Sequence, residues 1–442
     1  MVSSGAQRVL SIDLREGVKK YSFYLVIILG LLVNVLNTVP GVVLPVYLQE
    51  VIGISRRNAG KINSSIAVVV EITVIFLVGT VGFISDKVGR RILLSLGLIS
   101  TAVSFSLLGF SNSIAQSLGI NSLLMVYVTR WLVGVSMVFV WPQISALLTD
   151  YTFVQGRGKA MAIMGFTFTA GAFVTFTFIS RLPKIIGITN VLVLMSVICV
   201  VFALISRLGV TELVQKSSEK KKIEWKKLFE HLKKSPGLKL AYGAAFGSRA
   251  DVIILGMFLM IWVVKVAKDF GRTPMQAIAD GGIVIAISSG LGMLSYPLWG
   301  FIVEKWGRLP TLTFGLFFSG LSYVLMGFIK NPFSVELKLC IILFALGVHA
   351  AGVGASTLAS DIAPRNIIGS VLGGYHTCAS LGIMFFLQLG GFLFDSVGHT
   401  SPFVVAGIAN LIVVFFGLIF WKRIRAEEAV TKNNARMAGP HH

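Results

Sequence analysis

The chain has 442 residues, of which 55% are hydrophobic and 13% charged, with a mean hydropathy of +0.84. A soluble domain carries about 25% charged residues, so this composition excludes one and marks an integral membrane protein. The net charge of +20 would suit nucleic acid, but of the 39 Lys and Arg, 27 lie in loops on one side of the apolar segments, 10 on the other and 2 within them. That is the positive-inside distribution, and it excludes nucleic acid as a partner.

A tail, 1–21, precedes the first apolar run. The run is long enough to span a bilayer, so it reads as a helix and not as a cleavable signal. Spans of about 20 apolar residues fall at 22–47, 61–84, 91–111, 121–149, 159–181, 188–207, 239–266, 276–303, 309–330, 336–360, 367–393 and 402–421. An even number puts both termini on one side, the cytoplasmic one by the Lys and Arg bias, and a bacterial inner membrane is the expected location. The spans divide into an N-terminal bundle, 22–207, and a C-terminal bundle, 239–421. A cytoplasmic tail, 422–442, follows, and its Ala438–His442 end is set aside as a cloning remnant. The linker 208–238 is the long charged connection between the bundles. In it Trp225, Leu228, Phe229 and Leu232 share one helical face among lysines. An amphipathic helix on the inner leaflet is expected there; a solvated linker is the alternative.

Within the spans, Asn34, Asn37, Pro40 and Pro45 are expected to break the regularity of the first helix, and broken helices often line a cavity. Asn34 and Asn37 are therefore candidate solute contacts. Intramembrane charge is costly and usually functional. Glu71 and Arg130 lie at one depth, each about ten residues below the outer end of its span at about 1.5 Å per residue. They can pair, either for proton transfer or as a permanent brace. Arg249 and Asp251, two apart in the seventh span, point about 200° away from each other on a helix. Burial favours the neutral form of a carboxyl, so Glu71 and Asp251 are the candidate proton carriers. Arg130, Arg249, His349 and His376 join the candidate solute contacts; each histidine also reads as a hydrogen-bonded core residue. Cys199, Cys340 and Cys378 read as free thiols in apolar segments. The span glycines, among them Gly171, Gly281, Gly282 and Gly290, read as helix-packing positions. His and Cys show no metal-ligand spacing and no phosphate-cradling loop is present. No cofactor and no enzymatic activity are expected.

Gly82-Phe-Ile-Ser-Asp86-Lys-Val-Gly89-Arg90-Arg91 forms a short charged turn between the second and third spans. It returns as Gly300-Phe-Ile-Val-Glu304-Lys-Trp-Gly307-Arg308 at a constant offset, 304 − 86 = 218. A repeat of half the chain means two homologous halves. A second pair agrees: Asp150 and Gly158 recur as Asp361 and Gly369, with 361 − 150 = 211.

The turn resembles the signature loop of the major facilitator superfamily, whose weaker second copy lies between the eighth and ninth helices. The resemblance covers the whole chain and implies an all-α membrane protein, with twelve transmembrane helices in two pseudo-symmetric six-helix bundles. Arg130-Trp-Leu-Val-Gly134 is similar to the Arg-x-x-x-Gly pattern of the family's fourth helix, with Val133 where Gln is usual. The family implies a monomeric secondary transporter working by alternating access on a small-molecule substrate. Proton coupling and an organic solute are expected, an anion being suggested by Arg130 and Arg249. The alternatives are an exporter of amphipathic drugs or lipids, although the fifth span lacks the Gly-Pro pair of drug–proton antiporters, and a non-transporting sensor. The loops are expected to gate. Asp86 would latch onto the start of the eleventh helix and Glu304 onto that of the fifth, with Arg90 and Arg308 holding those acids in position.

Overall fold

The computed structural model describes residues 8–10, 12–153, 157–213, 225–363 and 368–437. Its apolar runs fold into helices because a bilayer leaves backbone groups no other partner. In chain order these are α1 Lys20–Val46, α2 Ala59–Val88, α3 Arg90–Gly109, α4 Ser111–Leu118, α5 Ser122–Val138, α6 Trp141–Tyr151, α7 Arg157–Thr177, α8 Leu182–Ile186 and α9 Ile188–Gly209. They continue as α10 Trp225–Lys234, α11 Pro236–Ser248, α12 Asp251–Val266, α13 Pro274–Trp306, α14 Arg308–Met326, α15 Val335–Ile362, α16 Ile368–Ser396, α17 Ser401–Ile419 and α18 Trp421–Met437. Among the described residues, twelve segments are long and apolar enough to cross a membrane.

Three spans depart from simple rods. The first was expected to lose its regularity at Asn34, Asn37, Pro40 and Pro45; α1 stays helical through both prolines, and a wide turn follows them at Tyr47–Val51. Packed membrane helices re-satisfy the backbone groups that proline frees. The fourth span is α5 followed by α6, interrupted just before Trp141-Pro142. The seventh is α11 followed by α12, interrupted at Arg249-Ala250.

The chain forms two compact units, residues 1–218 with 260–293, and 219–259 with 294–442. In the first, the tail adds a two-stranded hairpin, β1 Arg8–Val9 and β2 Ile12–Asp13. Ile12 and Leu14 are fully buried. The hairpin is tied to the end of α6 by a bridge between Leu14 and Thr152 and by the Arg15 N–H donating to the Tyr151 carbonyl at 2.9 Å. The Tyr151 hydroxyl in turn donates to the Thr211 carbonyl at 2.6 Å. In the second unit the core gathers leucines and alanines of α11, α14 and α15, with Val371, Tyr375 and Ala379 of α16. Gly315, Gly347 and Gly354 let α14 and α15 meet backbone to backbone; a Cβ on Gly315 would lie 2.2 Å from the Ala351 nitrogen.

Candidate functional site: glycine turns and charges within the spans

Gly89 (φ +104°) and Gly307 (φ +100°) occupy the backbone region that disfavours every side chain, so each permits the reversal between two spans. The next helix starts immediately, and its first N–H groups need acceptors. At α3 both oxygens of Glu212 supply them, accepting from Arg90 N at 2.9 Å and Arg91 N at 2.7 Å. A Cβ on Gly89 would lie 3.1 Å from Glu212 Oε2, a second reason for glycine there. At α14 the same task falls to Glu428 of α18, which accepts from Leu309 N at 3.1 Å. Burial pushes the Glu428 carboxyl above its ordinary value, against the opposing pull of the Leu309 N–H, Arg425 and Arg308.

Among the described residues the motif arginines meet acids at the ends of other spans. Arg90 Nε meets Asp150 Oδ2 at 2.5 Å, and Arg308 Nε meets Asp361 Oδ2 at 2.6 Å. The reason is geometric: each arginine opens its helix beyond the reversal and reaches the acid at the end of the fourth or tenth span. Glu304 lies exposed on α13, before the turn. The side chain of Asp86 falls outside the described residues, as do Gly158 and Ile367, so the latch has no described partners. Gly82 has open space around it.

In the first unit, α2 and α5 meet where the Arg130–Gly134 motif needs them to. A Cβ on Gly134 would lie 2.6 Å from Val70 Cγ1, and the Trp131 indole N–H donates to Thr73 Oγ1 at 2.8 Å. This register sets Glu71 and Arg130, both half-buried, within electrostatic reach of each other. Among the described residues no direct ion pair joins them. Asn34 of α1 donates through Nδ2 to the Phe168 carbonyl of α7. It therefore ties two helices together, while Asn37 is exposed.

In the second unit the interruption at Arg249-Ala250 separates the two charges of the seventh span. Arg249 is exposed, within electrostatic reach of Tyr296, Tyr375 and His376. His376 is exposed, its ring 5.4 Å from that of Tyr375. His349 is buried, with its ring 5.1 Å from Tyr296. Asp251 opens α12 and is fully buried. Its Oδ2 accepts from Asn410 Nδ2 of α17 at 2.7 Å, and its backbone carbonyl accepts from the Tyr323 hydroxyl of α14. Ser319 Oγ lies 3.4 Å from the same Asn410 nitrogen. Asp251 Oδ1 and Asn410 Oδ1 are both buried without a hydrogen-bond partner. Among the described residues no cation pairs with Asp251.

Sequence reasoning found Asp251 and Arg249 by their charge. It did not find Asn410, Tyr323, Glu212 or Glu428. The last two were within reach of the repeat, since 428 − 212 = 216. Among the described residues no group of His, Cys, Asp and Glu is arranged to hold a metal ion.

Twelve spans, a repeated glycine turn and a repeated Arg–Asp pair define a two-fold repeated membrane transporter. The chain belongs to the Major Facilitator Superfamily, whose model matches residues 26–293 and 252–439. It is similar to the magnetosome protein MamH of Paramagnetospirillum magneticum, with 31% identity over 396 residues, 90% of this chain and 91% of MamH. The magnetosome protein MamZ of the same organism is 26% identical over 375 residues, and the match covers 84% of this chain but 58% of MamZ. The solved nucleoside transporter NupG shares the fold, with a TM-score of 0.71 at 13% identity, over 90% of this chain and 99% of NupG.

Proposed function

We propose that this transporter moves a small organic solute, an anion by preference, by proton-coupled alternating access. Glu71 and Asp251 carry protons in this reading. Arg130, Arg249 and His376 meet the solute, with Asn34, Asn37 and His349 as further contacts. The observation that carries it is the Asp251–Asn410 pair. Once Asn410 Nδ2 has bonded Asp251 Oδ2, the two atoms left over are both oxygens, and both are buried without a donor. An ionised carboxylate leaves both unsatisfied in a buried helix interface, at a cost of several kcal/mol. One proton on Asp251 supplies the missing donor. A buried acid with a place for one proton, two residues from an exposed arginine, suits coupling of proton and anion movement.

The loop contacts Arg90–Asp150 and Arg308–Asp361 support a gating role for the turns, in which Gly82 and Arg91 also take part. The fit to a bacterial inner membrane with cytoplasmic termini rests on the Lys and Arg bias. Kinship with two magnetosome proteins makes the magnetosome membrane the first place to look for a fluorescent fusion. The transport test is uptake into liposomes under an imposed pH gradient, with metabolites first ranked by thermal shift. Proton-driven accumulation of an organic anion is expected. Counterflow without any response to the pH gradient would leave a passive carrier, and no transport of any thermal-shift ligand would favour a sensor.

A further inference from the structure

At the linker end of the second unit, α10, α11 and α18 enclose a groove of about 440 Å³, lined by Lys233, Lys234, Lys239, Arg423, Phe420 and Glu427. We propose that this groove is a binding site for an anionic phospholipid whose headgroup carries two phosphates.

Charge comes first. Four cations and one acid line the groove. The acid is engaged, since Glu427 Oε2 accepts from the Gly237 N–H of α11 at 3.0 Å. Among the described residues none of the four cations makes an ion pair; Arg423 lies over the Phe420 ring at 5.9 Å. The excess is three positive charges. A headgroup with one phosphate leaves two of them uncompensated, and one with two phosphates leaves a single charge.

Position comes next. The groove lies at the ends of two spans, because the seventh begins at Pro236 and the twelfth ends at Ile419. Lysine and arginine at that level meet lipid headgroups and attract anionic ones. Leu418 and Ile419, exposed on the last turn of α17 beside the groove, offer apolar surface for acyl chains. A free phosphate has no use for that surface. The linker helix is fixed in place for the role: Leu232 packs on the core of the unit, leaving Lys233 and Lys234 exposed at the groove.

The test uses the full chain in nanodiscs, with native mass spectrometry of the lipids retained through delipidation. The probes are cardiolipin, phosphatidylglycerol and phosphatidylcholine vesicles, with inorganic pyrophosphate as competitor. The wild type is expected to retain one cardiolipin, to discriminate against phosphatidylcholine, and to keep its lipid in the presence of equimolar pyrophosphate. The variant Lys233→Gln/Lys234→Gln/Lys239→Gln/Arg423→Gln should retain at least about tenfold less cardiolipin. Arg423→Gln alone, at an exposed side chain that leaves the core intact, should lose about fivefold and guards against misfolding of the fourfold variant. Equal retention of cardiolipin by wild type and Arg423→Gln overturns the proposal. Displacement by equimolar pyrophosphate also overturns it, and reassigns the groove to a free anion.

Discussion

Asp251→Asn distinguishes two states of the buried acid by the size of its effect. The wild-type carboxyl has one hydrogen bond, at 2.7 Å from Asn410, and a second oxygen with no partner. If the resting group is a neutral acid, the isosteric amide exchanges one neutral polar group for another. Stability should then change by less than about 1 kcal/mol, the net worth of one ordinary hydrogen bond. If the group is ionised, the substitution removes an unpaired buried charge and should stabilise the protein by several kcal/mol. The proposed function requires the first outcome. Asp251→Ala is the control. It removes the closer of the two acceptors of Asn410 Nδ2, leaving Ser319 Oγ at 3.4 Å, and should cost about 1–3 kcal/mol. The assay is unfolding of reconstituted protein at pH 7, read as apparent free energy for the three chains side by side. In liposomes Asp251→Asn should retain counterflow of a transported solute and lose proton-driven accumulation. Stabilisation of Asp251→Asn by more than about 3 kcal/mol would refute the neutral-acid reasoning, as would accumulation at the wild-type level.

Other outcomes follow from the same geometry. Glu71→Gln should spare exchange and abolish gradient-driven uptake, while Arg130→Lys should fold but bind solute more weakly, since lysine lacks the planar fork of donors; both are read in liposomes. Glu212→Ala leaves two α3 N–H groups without their carboxylate and should cost about 1–3 kcal/mol by thermal unfolding. Gly134→Val overfills the contact with Val70 and should cost about 1–3 kcal/mol, with a gain of stability counting against the α2–α5 register. Because burial holds the Glu428 carboxyl above its ordinary value, the folded state binds that proton more tightly than the unfolded chain. Its contribution is therefore fully present below the unfolded value and is lost as pH rises through the folded one. Glu428→Gln should flatten this part of the stability–pH curve, and an unchanged slope would remove Glu428 as its cause.

The parts of this structure that sequence reveals are those governed by local rules. Spans follow from apolar length, the turns at Gly89 and Gly307 follow from a repeated string, and α10 follows from the spacing of Trp225, Leu228, Phe229 and Leu232. What sequence hides depends on distant partners. The interruption at Arg249-Ala250 has no proline to announce it; the carbonyl of Asp251 is held by Tyr323, 72 residues away. The hairpin at Arg8–Asp13 has strands of two residues, too short to show a pattern, and it owes its place to Tyr151 and Thr152. Glu212 caps a helix 121 residues before it, through Arg91. The arginine pairing depends on distance in the same way: Arg308 meets Asp361, 53 residues away.

The repeat separates the charges of the turns from the charges inside the spans. Charges that both halves need recur at nearly the same offset: Arg90 with Asp150 and Glu212 in one unit, Arg308 with Asp361 and Glu428 in the other. Each set closes a glycine turn and supplies the first acceptor of the helix behind it, a task that exists twice in a duplicated chain. The charges inside the spans do not recur. Shifted by the same 218 residues, Glu71 falls on Ser289, while Asp251 and Arg249 fall back on Val33 and Leu31. A charge within a bilayer that was needed only to hold a six-helix unit together would be needed in both units. In the proposed function, that restriction to one half fits a part in solute or proton binding.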